Sequence, residues 1–89
     1  MRAVPAYCDH LAVERGLSPA SVEAYRRDLE AFCGWLDREG ATGRPDREAL
    51  RRYLRAIRQR GLSSRSAARA LSALRGFFAF GCASLGWTD

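Results

Sequence analysis

Three glycines divide this chain into four helical stretches and leave it little choice of fold. Gly16, Gly40 and Gly61 each follow a run in which apolar residues recur at spacings of three and four. That spacing lines them up on one face of an α-helix. A glycine just past such a run supplies the left-handed backbone that stops a helix. The first helix is expected from about Pro5 to Arg15, with Val4, Tyr7, Cys8 and Leu11 as its apolar stripe. The second opens at Ser18-Pro19, a cap followed by proline at the first helical position, and continues to about Glu39. Val22, Tyr25, Leu29, Phe32, Cys33 and Leu36 share its apolar face, with Trp35 at the rim of the core. Residues 41–45 read as a loop. Asp46 caps a third helix that extends to about Arg60 and buries Leu50, Tyr53, Leu54 and Ile57. Ser63 caps a fourth, whose core face reads Ala67, Leu71, Leu74 and Phe78. No segment alternates with period two, so no strand is expected. The expected fold class is all-α, a bundle of four helices.

Two of the joints are alike. Gly16-Leu17-Ser18-Pro19-Ala20-Ser21 and Gly61-Leu62-Ser63-Ser64-Arg65-Ser66 both spell G-L-S-x-x-S. Recurrent chemistry accounts for this: glycine ends one helix, leucine staples the joint, and serine caps the next helix. Each joint presents free backbone N–H groups beside two serine hydroxyls, an arrangement suited to phosphate.

Eighty-nine residues, 47% of them hydrophobic, suffice for one folded domain with one small core. No apolar run approaches the ~20 residues of a membrane span, and no signal segment follows Met1-Arg2, so a cytoplasmic protein is expected. Cys8, Cys33 and Cys82 are far apart, and His10 is the single histidine. That set argues against a zinc site and a disulfide framework. No cofactor is expected. Cys8 and Cys33 read as small core residues. Catalysis has little to draw on: there is no triad, no metal set and no phosphate loop. Tyr7, Tyr25 and Tyr53 fall on core stripes, Tyr25 most firmly, so none reads as an exposed nucleophile. The chain is not expected to be an enzyme by itself.

Charge separates the two halves. From Ala49 to Thr88 there are eight arginines and no Asp or Glu, whereas residues 1–48 hold seven arginines against nine acids. The net charge of +5 therefore comes from the C-terminal half. Such a one-sided field suits a polyanion, most simply the phosphate backbone of double-stranded DNA. All fifteen basic residues are arginine. A GC-rich coding bias explains the missing lysines; it does not explain the missing acids. At about 100° per residue, Arg65, Arg69, Ser72 and Gly76 form one stripe of the fourth helix with Arg75 on its flank. Small residues there would let a DNA groove approach, and the arginines could reach phosphates or base edges. The bland alternative is a solvated face. Arg51, Arg52, Arg55, Arg58 and Arg60 make the third helix the densest in charge, where it can add to the field without touching DNA. On the second helix Arg27 projects from the polar side. Arg26 lies nearer the core edge, where it could pair with Asp28 or Glu30.

Glu14-Arg15-Gly16-Leu17-Ser18, Ala24-Tyr25-Arg26-Arg27-Asp28-Leu29 and Ala70-Leu71-Ser72-Ala73-Leu74-Arg75-Gly76-Phe77-Phe78 occur in that order. Together they resemble the N-terminal core-binding domain of tyrosine recombinases, nearest the Xer type and the phage integrases. The resemblance runs from about Val4 to Phe80. It implies a SAM-like bundle of four helices that forms half of a clamp around a recombination site, with helices 2 and 4 facing the DNA. It implies DNA contacts at Ser18, Ser21 and Arg27 on helix 2, and at Ser64, Arg65, Arg69, Ser72 and Arg75 on helix 4. The implied partners are duplex DNA and the other subunits of the parent recombinase in a synaptic tetramer. The isolated domain is expected to be a monomer with no membrane association.

The parent would join DNA through a phosphotyrosyl link without metal or nucleotide, using a catalytic domain that follows this one. Asp89 falls where the linker to it would begin. The expected ordered core is thus about 4–80, with 81–89 as the start of the linker. Gly81 to Gly86 replace the polar residues with which the family continues its last helix, which predicts early fraying. A larger aliphatic residue is usual near Ala67, which predicts a looser core there. Two other readings stay open: a SAM-like protein-interaction module, and a helix-turn-helix regulator. The latter is weakened by the length of helix 3.

Overall fold

The computed structural model describes residues 3–40 and 46–87. Four helices follow one another: α1 (Ala3–Val13), α2 (Pro19–Arg38), α3 (Arg47–Gln59) and α4 (Ser64–Ser84). No strand occurs among the described residues, so the chain is an all-α, SAM-like four-helix bundle. The loop expected at 41–45 lies outside the described residues, as do 88 and 89. The longest helices, α2 and α4, pack on one another. Each also touches α1 and α3, while α1 and α3 do not meet. The two long helices are therefore the spine, and the short ones lean on it separately.

The helix ends follow the expected chemistry. Gly16, Gly40 and Gly61 all have positive φ. At Gly61 the stop is a Schellman turn: the Leu62 N–H donates to the Ile57 carbonyl and the Gly61 N–H to that of Arg58. Ser18, Asp46 and Ser63 are N-caps whose side chains accept from the backbone N–H of Ser21, Ala49 and Ser66. Each satisfies a donor the helix itself leaves open. The first helix sits two residues earlier than expected, ending at Val13.

Two aromatic clusters fill the core. On α2 and α3, Phe32 meets Tyr53 edge-on at 5.1 Å, and Trp35 lies 5.5 Å from the same ring. On α1 and α4, Tyr7 packs 5.7 Å from Phe77 and 5.3 Å from Phe80. Leu11, Leu29 and Leu74 lie among the fully buried side chains. Such ring pairs stabilise beyond the area they bury.

The core face of α4 differs from the expected one. Ala70, Ala73, Leu74, Phe77 and Gly81 are buried, whereas Ala67, Leu71 and Phe78 are only half-buried. The reason is geometric. Tyr7 of α1 sits on Gly76 and Trp87 sits on Gly81, so the small side chains of α4 face close neighbours. The stripe of larger residues turns instead toward α3. There Leu71 and Phe78 line a groove with Leu50 and Leu54, which are also only half-buried. Ala49 takes the buried place on α3. Cys8 and Cys33 are likewise half-buried at the core edge.

Gly81 does not fray the helix. Trp87 folds back so that its ring covers this glycine and meets Phe77 edge-on at 5.3 Å, and the Trp87 N–H donates to the Gly81 carbonyl. The helix therefore continues to Ser84.

Two outcomes follow. Ser18→Ala and Ser63→Ala should each lower stability by about 0.5–2 kcal/mol in chemical denaturation. Gly76 lies under Tyr7, and a methyl group there would overlap the Tyr7 hydroxyl. Gly76→Ala should therefore destabilise the wild type and be much better tolerated beside Tyr7→Phe. The denaturation double-mutant cycle should show coupling of about 0.5–3 kcal/mol; additive effects would mean that the two residues do not touch.

Candidate nucleic-acid interface

The outward face of α4 carries Arg65, Ala68, Ser72, Arg75 and Ala79, all exposed. Arg65 and Arg75 have no ion-pair partner among the described residues. Around Ser72 the two arginines are thus separated by small side chains, which favours close approach to a polyanion. The N-terminus of this helix adds the exposed Ser64 next to its Ser63 cap.

Two members of the expected stripe are placed otherwise. Gly76 does not face outward, because Tyr7 of α1 covers it. Arg69 is not free of acid. It donates to both Asp28 carboxylate oxygens, from Nε at 2.8 Å and from Nη2 at 3.1 Å. The absence of acids from the second half in sequence is therefore not their absence in space. The α2 helix lends one. The Arg69 guanidinium is held charged above its ordinary range chiefly by those hydrogen bonds.

On α2 the Ser18 hydroxyl accepts the Ser21 N–H and donates to the Ser21 hydroxyl at 3.1 Å. Ser21 is thus tied into the cap, and both hydroxyls remain exposed. In the second joint Ser66 takes the matching place, with its N–H on Ser63 Oγ at 3.2 Å. Arg27 is 73% exposed and lies 3.4 Å from Glu23. Arg26 pairs with Glu23 and Glu30, not with Asp28. Its role is to brace α2. The side-chain bond to Arg26 also lowers the Glu23 pKa from its ordinary value.

The α3 arginines are differently engaged. Arg52 lies 3.9 Å from Glu39 and stacks 5.5 Å from the centre of the Trp35 ring. Arg51 is 3.9 Å from Glu48 of its own helix. Arg55, Arg58 and Arg60 are exposed.

Tyr7 and Tyr53 are buried, and burial raises both pKa values above the ordinary one. Tyr25, expected to be the most firmly buried of the three, is only half-buried. Burial likewise raises the thiol pKa of Cys8 and of Cys33. No group of three metal-binding side chains occurs among the described residues. No helix among them is long and apolar enough to cross a membrane.

Sequence reasoning missed Asp28 as the partner of Arg69. A signal existed, since Arg26 and Asp28 are two residues apart and cannot face one another on a helix. Asp28 therefore had to look elsewhere. Its actual partner lies 41 residues away, and no periodicity rule reaches that far.

Relatives of known type match most of the chain. Tyrosine recombinase XerC of Pseudomonas fluorescens is 46% identical over 79 residues, covering 86% of this chain and 26% of that protein. Tyrosine recombinase XerC of Xanthomonas campestris pv. campestris (strain B100) is 39% identical over 82 residues, covering 90% of this chain and 26% of that protein. Tyrosine recombinase XerC of Pseudomonas savastanoi pv. phaseolicola (strain 1448A / Race 6) is 46% identical over 78 residues, with 84% and 26% covered. The chain thus spans about a quarter of the length of the curated relatives it matches. No solved structure matches it. The family model described as phage integrase, N-terminal SAM-like domain, matches residues 4–83, and the chain belongs to that family.

Proposed function

We propose that this domain grips duplex DNA at the recombination site of a tyrosine recombinase, through α2 and α4. The observation that carries the reading is the outward face of α4, where Arg65 and Arg75 flank Ser72 with no acid paired to them among the described residues. Arginine side chains on a small-residue face can follow a groove and bind phosphates at once. Ser18, Ser21 and Arg27 on α2, and Ser64, Arg65, Arg69, Ser72 and Arg75 on α4, are the proposed contacts. The two serine-capped helix starts would add neutral donors to phosphate oxygens. Cleavage and joining belong to other parts of the parent protein, whose subunits would assemble on DNA as a tetramer. The long range of the arginine field would draw DNA in, and the α4 contacts would hold it.

A second reading, a protein-interaction module, is favoured by one feature: the apolar groove of Leu50, Leu54, Leu71 and Phe78 between α3 and α4. Arg47, Arg51 and Arg75 line the same groove. A helix-turn-helix regulator fits less well, because α3 runs for 13 residues before the joint.

The domain should bind a mixed-sequence duplex with strong salt dependence. If about four phosphates are neutralised, the log–log slope should be about −3 to −4. Fluorescence anisotropy at several salt concentrations measures it. Absence of binding at low salt would remove the DNA reading and leave the groove as the functional surface. Arg65→Ala with Arg75→Ala should weaken DNA binding by about 1–3 kcal/mol. Arg51→Ala with Arg55→Ala removes the same charge from α3 and should cost clearly less. Equal losses would mean that net charge alone governs binding and that the assignment of α4 is wrong.

A further inference from the structure

We infer that Asp28 is a positioning residue for base recognition: it holds Arg69 so that the open end of the guanidinium meets a guanine edge and not a phosphate. The inference rests on the reading of α2 and α4 as the DNA-facing pair. The geometry is specific. Asp28 takes Nε and one Nη2 hydrogen of Arg69, a side-on fork. Three donors remain: both hydrogens of Nη1 and the second of Nη2. The Nη1–Nη2 end is itself a planar two-donor fork, and it matches the N7 and O6 acceptors that guanine shows in the major groove.

Exposure divides the roles. The Asp28 side chain is 12% exposed and that of Arg69 44%, so the carboxylate is the anchor and the guanidinium the reachable part. The two residues lie on different helices of the spine, which fixes their relative position better than a pair on one helix surface. A long side chain held beforehand loses less freedom when it binds. Charge divides the roles again. Asp28 offsets the charge of Arg69, which weakens its general attraction to phosphate. Arg65 and Arg75 on the same helix have no such partner among the described residues. Phosphate binding falls to those two, and base reading falls to Arg69.

The test begins with selection of duplexes from a pool with randomised central positions, using the intact chain. Affinities are then measured for the selected duplex and for one in which the enriched G·C pair is replaced by A·T. Wild type should enrich one guanine and prefer the selected duplex by about fivefold or more. Arg69→Lys keeps the charge and can still pair with Asp28, but lacks the fork. It should lose more affinity for the selected duplex than for the A·T-substituted one, so that the preference disappears. Asp28→Asn should also lose the preference, while its log–log salt slope on mixed-sequence duplex steepens by about 0.9, one further phosphate engaged. Preference retained in both variants overturns the role of Asp28. So does an unchanged slope with equal loss on both duplexes, the mark of a staple that only holds the helices together. Should Asp28→Asn fail to fold, Arg69→Lys decides alone: retained preference overturns the role and lost preference supports it. Wild type that binds duplex without enriching guanine overturns the role of Asp28 only, whereas wild type that binds no duplex overturns the proposed function itself.

Discussion

Small side chains on α4 set how closely everything else can pack. Ala70, Ala73 and Gly81 are buried, and Gly76 lies under the Tyr7 ring. Where a side chain is a methyl group or a hydrogen, a neighbour can reach the helix backbone, and dispersion contacts accumulate over a short distance. The fully buried Tyr7, Phe32, Phe77 and Leu29 fill the space around that approach. A larger residue at Gly76 would push against Tyr7 of α1, and one at Gly81 against Trp87 of the C-terminal segment. The outer face of α4 inherits its shape from the same constraint: with one side given to packing, Arg65, Ser72 and Arg75 are left facing solvent.

Charge is arranged to suit this division. Acids on α2 are engaged by arginines, Glu23 and Glu30 by Arg26 of the same helix and Asp28 by Arg69 of α4. The ion pairs on exposed surface contribute little stability individually. Their effect is to decide which arginines keep an uncompensated charge. Among the described residues these include Arg55 and Arg58 on α3 and Arg65 and Arg75 on the outer face of α4, where a polyanion would feel them together.

Much of the fold was legible because it rests on local chemistry. Glycine stops with positive φ, serine and aspartate caps, and apolar spacing of three and four marked all four helices. The facing of α4 and α3 was not legible. A stripe search weights large apolar residues, so it chose Leu71 and Phe78 over Ala70 and Ala73. Close helix contacts favour the small ones. The Asp28–Arg69 pair was hidden for a related reason: it depends on how two distant helices dock. Gly76 read as an open surface when Tyr7, far away in sequence, covers it. Gly81 read as a place of fraying because sequence does not fix which residue of α4 the Trp87 ring covers.

The two tryptophans ended up in separate neighbourhoods. Trp35 belongs to the α2–α3 cluster with Phe32 and Tyr53, while Trp87 lies over α4 against Phe77 and Phe78. Trp35 packs directly on Tyr53 of α3, so loosening of α3 would disturb the first indole first, whereas the second packs on rings of α4. Peeling of the C-terminal segment would do the reverse. The domain carries two built-in optical reporters, one for each flank of its spine.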